Sequence, residues 1–265
     1  MVKGNPIPLC NRQGGFRICS ICHRNFFYRC TYFDLPGSPF KFNLPFSVYP
    51  GPGSCNYLEP LSYLIEDVCE VIMFDPKGCG RSSYYGNGYD IDSALHDLER
   101  IREEYGYTKW IVIGHSWGAD LGLAYSMLFP QSMLGYVSIS GSGIQNDKEW
   151  KEIYNRNKAE KDELKPDFQY GANKIVHRSL INSWRSFIKK PLLLKDISMI
   201  KVPSLFIYAQ NDIRPAWPIL QISNLIRNSK FIIIDGAEHY IWLYENKKLS
   251  EVLRTFIETY TDNIL

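Results

Sequence analysis

The chain has 265 residues, of which 45% are hydrophobic and 22% charged, the balance of one large globular domain with room for an insertion. A formal net charge of +2 excludes the strongly basic surface that a nucleic-acid or anionic-membrane partner requires. No stretch approaches the roughly 18 consecutive apolar residues of a spanning helix. Residues 1–15 are polar and broken by Pro6 and Pro8, without the apolar centre of a secretory signal, so a cytoplasmic location is expected.

In chain order, residues 16–23 and 26–33 read as an antiparallel pair of strands and 45–49 as a third, followed by the loop Pro50-Gly51-Pro52-Gly53. A helix is expected over 57–66 and a buried strand over 70–74. Residues 90–105 place Ile91, Ala94, Leu95, Leu98, Ile101 and Tyr105 at helical spacing. A strand over 109–114 leads into a helix over 118–129, stopped by Pro130. Further strands are expected at 134–140, 203–209 and 230–234, with helices at 216–227 and 246–260. Repeated β–α units with apolar strands predict a mostly parallel sheet of about eight strands with helices on both faces. Residues 144–200 break this rhythm, with helical patches near 147–164 and 171–190. They predict a short helical cap over a core formed by 1–143 and 201–265, at the strand C-terminal edge where open α/β sheets carry their sites.

The seven cysteines, Cys10, Cys19, Cys22, Cys30, Cys55, Cys69 and Cys79, lie in the first 79 residues. An odd number argues for free thiols. Cys19-Ser20-Ile21-Cys22-His23 matches a haem-attachment string. Within a strand, however, residues three apart point to opposite faces, so no shared haem or metal is expected.

The run Ile111-Val112-Ile113-Gly114-His115-Ser116-Trp117-Gly118 carries the chemistry. A β-branched strand ending in Gly-x-Ser-x-Gly and opening a helix is the context of a nucleophile elbow, in which the serine is lifted over the sheet. Serine needs a base to take its proton. Of five histidines, His239 follows the strand Phe231-Ile232-Ile233-Ile234 on a loop at the site edge, whereas His115 beside the serine is expected to pack. His23, His96 and His177 fall in the ribbon, on a helix and in the insertion. For the orienting acid, Asp212 follows strand 203–209 and is preferred; Asp235 is the rival, read as a turn residue before Gly236. The oxyanion donors are expected to be the N–H groups of Trp117 and Gly51, since prolines 50 and 52 have none.

These strings resemble the α/β-hydrolase family, and within it the proline iminopeptidase branch. Val71-Ile72-Met73-Phe74-Asp75-Pro76-Lys77-Gly78-Cys79-Gly80-Arg81-Ser82 is similar to that branch's strand and D-Q-R-G-x-G-R-S loop. Gly114 to Gly118 with Leu121, Leu123, Ala124, Tyr125 and Pro130 is similar to its elbow and helix, and Tyr49 to Gly53 to its H-G-G-P-G loop. The resemblance covers roughly 40–142 and 200–260. It implies the triad Ser116, Asp212 and His239, no metal or organic cofactor, and a small-molecule or short-peptide substrate, in a monomer or homodimer. Tyr49 and Pro50 depart from the branch's His and Gly. In the aminopeptidases cap carboxylates hold the substrate amine; here Asp147, Glu149 and Glu152 read as a solvated run. A carboxylesterase acting on small esters or lactones is the alternative, and a non-catalytic binding protein on the same scaffold is the rival of another class.

Overall fold

The computed structural model describes residues 11–13, 16–23, 26–33, 45–144 and 148–261; for those up to 49 and for 260–261 it is the backbone that is described. Cys10 and Asp147 lie outside the described residues.

The strands are β1 (Asn11–Gln13), β2 (Phe16–His23), β3 (Phe26–Phe33), β4 (Pro45–Tyr49), β5 (Glu70–Phe74), β6 (Trp110–His115), β7 (Met133–Ile139), β8 (Ser204–Ala209) and β9 (Ser229–Ile234). The helices are α1 (Glu59–Ser62), α2 (Ile91–Glu104), α3 (Trp117–Leu128), α4 (Lys148–Glu160), α5 (Lys174–Phe187), α6 (Leu193–Ser198), α7 (Trp217–Leu225) and α8 (Asn246–Thr261). All nine strands form one sheet in the order β1-β2-β3-β5-β4-β6-β7-β8-β9. The first three pair antiparallel, and β3 meets β5 antiparallel; every pair from β5 to β9 is parallel.

Strand alternation explains why helices cover both faces. On β6, Trp110 and Val112 pack with Leu95 and Leu98 of α2 and Leu121 and Tyr125 of α3. Ile111 and Ile113 turn to the other face and pack with Leu249, Leu253 and Phe256 of α8. These side chains are 0–6% exposed, and each contributes about 1.5–3 kcal/mol on leaving water.

The expected helix over 57–66 shortens to α1, because Pro60 sits at its start and the chain then runs through turns to β5. The insertion between β7 and β8 holds α4, α5 and a third helix, α6, that periodicity over so short a stretch did not announce. The α4 helix buries none of its residues, whereas α5 buries Val176, Leu180, Trp184 and Phe187 against the core. Among the described residues no helix is long and apolar enough to cross a membrane.

Candidate active site

Strand β6 ends at His115, and α3 begins at Trp117, so the whole reversal falls on Ser116. Its backbone sits at φ 57°, ψ −126°, a region that costs a residue with a Cβ about 1–3 kcal/mol. The turn closes because Gly114 has no side chain: a Cβ there would lie 2.1 Å from the Gly118 carbonyl oxygen. The Ser116 N–H donates to the Ile139 carbonyl at 2.9 Å, which ties the elbow to β7.

Ser116 and Trp117 lie on a cavity of about 410 Å³ shared with Pro52, Ser142, Trp150, Tyr154 and α5. Asp212 and His239, 27 residues apart, meet at 2.6 Å between the carboxylate Oδ2 and ring Nδ1. Both are buried. The other oxygen of Asp212 accepts from the Arg214 main-chain N–H and from its guanidinium, each at 2.9 Å. Burial pushes the Asp212 carboxyl up. The charge and hydrogen bond of His239 and the Arg214 guanidinium outweigh it and hold the group well below the usual carboxylate range. The same guanidinium nitrogen reaches Glu163 of the insertion at 2.7 Å.

His115 does more than pack. Burial, and then the adjacent His239, hold its pKa well below the usual value, so the ring is neutral. Its Nε2 lies 3.0 Å from the His239 carbonyl, which can only accept, so the proton is on Nε2. Nδ1 is therefore an acceptor and takes the hydroxyl proton of Tyr57 at 2.8 Å. That hydroxyl in turn accepts the N–H of Gly51 at 3.0 Å. One directed chain thus runs from the loop after β4, through Tyr57 and His115, to the main chain of His239.

The Gly51 N–H, expected to face substrate, is engaged by Tyr57, and the member of that loop lining the cavity is Pro52. Asp235, the rival acid, is exposed and pairs with Lys248 at 3.6 Å. Tyr57, Arg214 and Glu163 carry no motif in the sequence, since their roles arise from contacts across 2 to 58 residues. Arg214 alone left a trace, as a cation two residues beyond the acid.

The loop after β5 packs against the segment that carries Tyr57. The carboxylate of Asp75 accepts the main-chain N–H of Asn56 at 2.8 Å, and the N–H and Nε of Arg81 at 3.1 and 2.7 Å. Gly80, at φ +52°, lies so close that a Cβ would meet that carboxylate at 2.7–2.8 Å. This packing accounts for the aspartate, glycine and arginine of the string, and through Asn56 it seats the neighbouring Tyr57.

The sequence profile of the alpha/beta hydrolase fold matches residues 50–182. The chain is 34% identical over 108 residues to the proline iminopeptidase of Neisseria gonorrhoeae, covering 40% of this chain and 34% of the relative. It is 36% identical over 99 residues to that of Saccharolobus solfataricus, covering 36% and 32%. The chain thus matches these curated relatives over about a third of their length. A structure of proline iminopeptidase from Mycobacterium smegmatis superposes with a TM-score of 0.70 at 13% identity, over 94% of this chain and 100% of that one. Serine hydrolase CCSP0084 from Cycloclasticus zankles does so with a TM-score of 0.72 at 14% identity, over 92% and 98%. At such identities the structures speak for the fold alone. The chain belongs to the α/β-hydrolase family. Within it, the stretch that matches the curated relatives is of the proline iminopeptidase-like branch.

Proposed function

We propose that the chain is a serine hydrolase that cleaves a small ester or amide through an acyl-serine intermediate. The observation that carries this reading is the buried Asp212–His239 pair, 2.6 Å apart, whose histidine is tied through its main-chain carbonyl to His115, the residue before the strained, cavity-lining Ser116. Ser116 Oγ attacks the substrate carbonyl carbon while His239 takes its proton through Nε2. Asp212 holds Nδ1–H and stabilises the imidazolium. The tetrahedral oxyanion is received by the Trp117 N–H, the first amide of α3, at the positive end of that helix. Gly51 is the second donor, and its N–H leaves the Tyr57 hydroxyl for the oxyanion as the intermediate forms. His239 then protonates the leaving group, the acyl-serine ester remains, and a water activated by His239 releases the acid and restores Ser116.

The segment 144–200 serves as a cap over the core of 1–143 and 201–265. The relatives' names point to peptides with an N-terminal proline. The cavity favours the second reading, an esterase, because the one carboxyl that lines it among the described residues, Asp120, is fully buried and held above the usual range. Glu149 and Glu152 of α4 are exposed, the latter paired with Lys148 at 3.5 Å. Three buried free thiols, Cys55, Cys69 and Cys79, suit work in the reducing cytoplasm.

Turnover of para-nitrophenyl butyrate beside proline para-nitroanilide, with the native chain and Ser116→Ala, tests the proposal. Ser116-dependent ester cleavage is expected. Ester turnover undiminished in Ser116→Ala contradicts the mechanism, and Ser116-dependent anilide cleavage restores the peptidase reading.

A further inference from the structure

Helix α5 is bolted to the core and turns one stripe toward Ser116. Its N-cap Asn173 donates its main-chain N–H to the Gly53 carbonyl at 2.8 Å and its side-chain amide to Gly78 at 2.9 Å. Gly53 is pressed so closely on the helix that a Cβ would lie 2.8 Å from the Cβ of His177. Behind, Val176, Leu180 and Phe187 are buried in the core. In front, His177, Ile181, Trp184 and Arg185 line the cavity that holds Ser116. They recur at intervals of four, three and one, which is one face of a helix.

The charges of that cavity are unequal. Its lining includes Asp120, His177, Arg185 and Arg214. The Arg214 guanidinium is already committed to Asp212 and Glu163. Asp120 accepts the N–H groups of Ser142 and Gly143 at 3.1 and 2.7 Å. Arg185 makes no hydrogen bond or ion pair among the described residues. It is a permanent cation with a planar donor fork, and His177 stands two turns before it on the same stripe.

We propose that Arg185, with His177 two turns before it on the same stripe, receives a carboxylate carried by the acyl or leaving group of the substrate, so that the enzyme prefers anionic esters or amides. An α-ammonium group in the same place would meet a cation instead. The proposal rests on the reading of Ser116 as nucleophile, and it narrows the substrate class that reading leaves open. A hydrogen bond between charged partners changes a binding or rate constant about tenfold or more, less where water and salt screen it.

The test compares mono-para-nitrophenyl glutarate with para-nitrophenyl valerate, esters of similar acyl length that differ in the terminal carboxylate. The ratio of their kcat/KM values is expected to be about ten in favour of glutarate, to fall to near one in Arg185→Gln and below one in Arg185→Glu, and to shrink at high salt. A ratio at or below one in the native chain, or an unchanged ratio in Arg185→Glu, overturns the proposal. An activity-free readout runs beside it. Trp117, Trp150 and Trp184 line the cavity, so tryptophan fluorescence reports the binding of monomethyl glutarate against dimethyl glutarate. Tighter binding of the monoanion, lost in Arg185→Gln, supports the proposal even if neither ester is cleaved, in which case it is the hydrolase reading that fails. Equal binding of the two contradicts the proposal even where both are cleaved.

Discussion

His115 donates its Nε2–H to the main-chain carbonyl of His239 at 3.0 Å, and the two rings stand 4.6 Å apart. The residue next to the nucleophile thereby fixes the loop that carries the base. His115→Leu leaves the Tyr57 O–H without its acceptor and the His239 carbonyl without its donor in the interior. Chemical unfolding should show a loss of about 1–3 kcal/mol. Steady-state kinetics should show a fall in kcat with KM little changed, because the base is displaced while the cavity wall is kept.

The same ring makes stability depend on pH. Folded His115 stays neutral well below the usual histidine range, while the unfolded chain takes a proton there near pH 6.5. Below that value the unfolded state binds more protons, so stability is fully present above about pH 6.5 and falls as pH drops, by up to about 1.4 kcal/mol per unit. Asp212 has the same sign in a separate window. Its depressed carboxyl adds stability above the unfolded value near 4, and this is lost on further acidification. Urea midpoints between pH 7 and 5 should decline in the native chain and flatten in His115→Gln.

Asp212→Asn keeps the shape of the acid but cannot hold His239 with its proton on Nδ1. A fall in kcat of about 10⁴ is expected at neutral pH, with residual turnover from the oxyanion donors. A fall of less than tenfold in purified, folded Asp212→Asn would assign the orienting role elsewhere.

Ser116 holds its φ of 57° against the preference of any residue with a Cβ. Ser116→Gly should therefore abolish turnover while raising stability by about 1 kcal/mol, seen as a higher melting temperature. Ser116→Ala keeps the Cβ and should melt close to the native chain.

Much of this is legible in the sequence. The strands over 16–23, 26–33, 45–49 and 70–74 fall within the expected bounds, because each is a short apolar run closed by turn residues. The elbow was legible because Gly-x-Ser-x-Gly makes sense only between a strand and a helix. Asp212 and His239 were singled out by their places after β8 and β9. The partners of the site were hidden. Tyr57 lies in a loop whose shape depends on Asp75, 18 residues later, and Glu163 sits outside any helix between α4 and α5. Gly51 shows the limit most clearly: its N–H was foreseeable as a donor, but the acceptor that takes it was not.

The account stands or falls on Ser116 as an activated nucleophile. The most direct measurement is labelling with a fluorophosphonate, followed by mass spectrometry of the intact chain and its peptides. One label per chain is predicted, on the peptide bearing Ser116, lost in Ser116→Ala and strongly slowed in His239→Ala. A folded chain that takes no label, or takes it equally well without His239, would contradict the central claim.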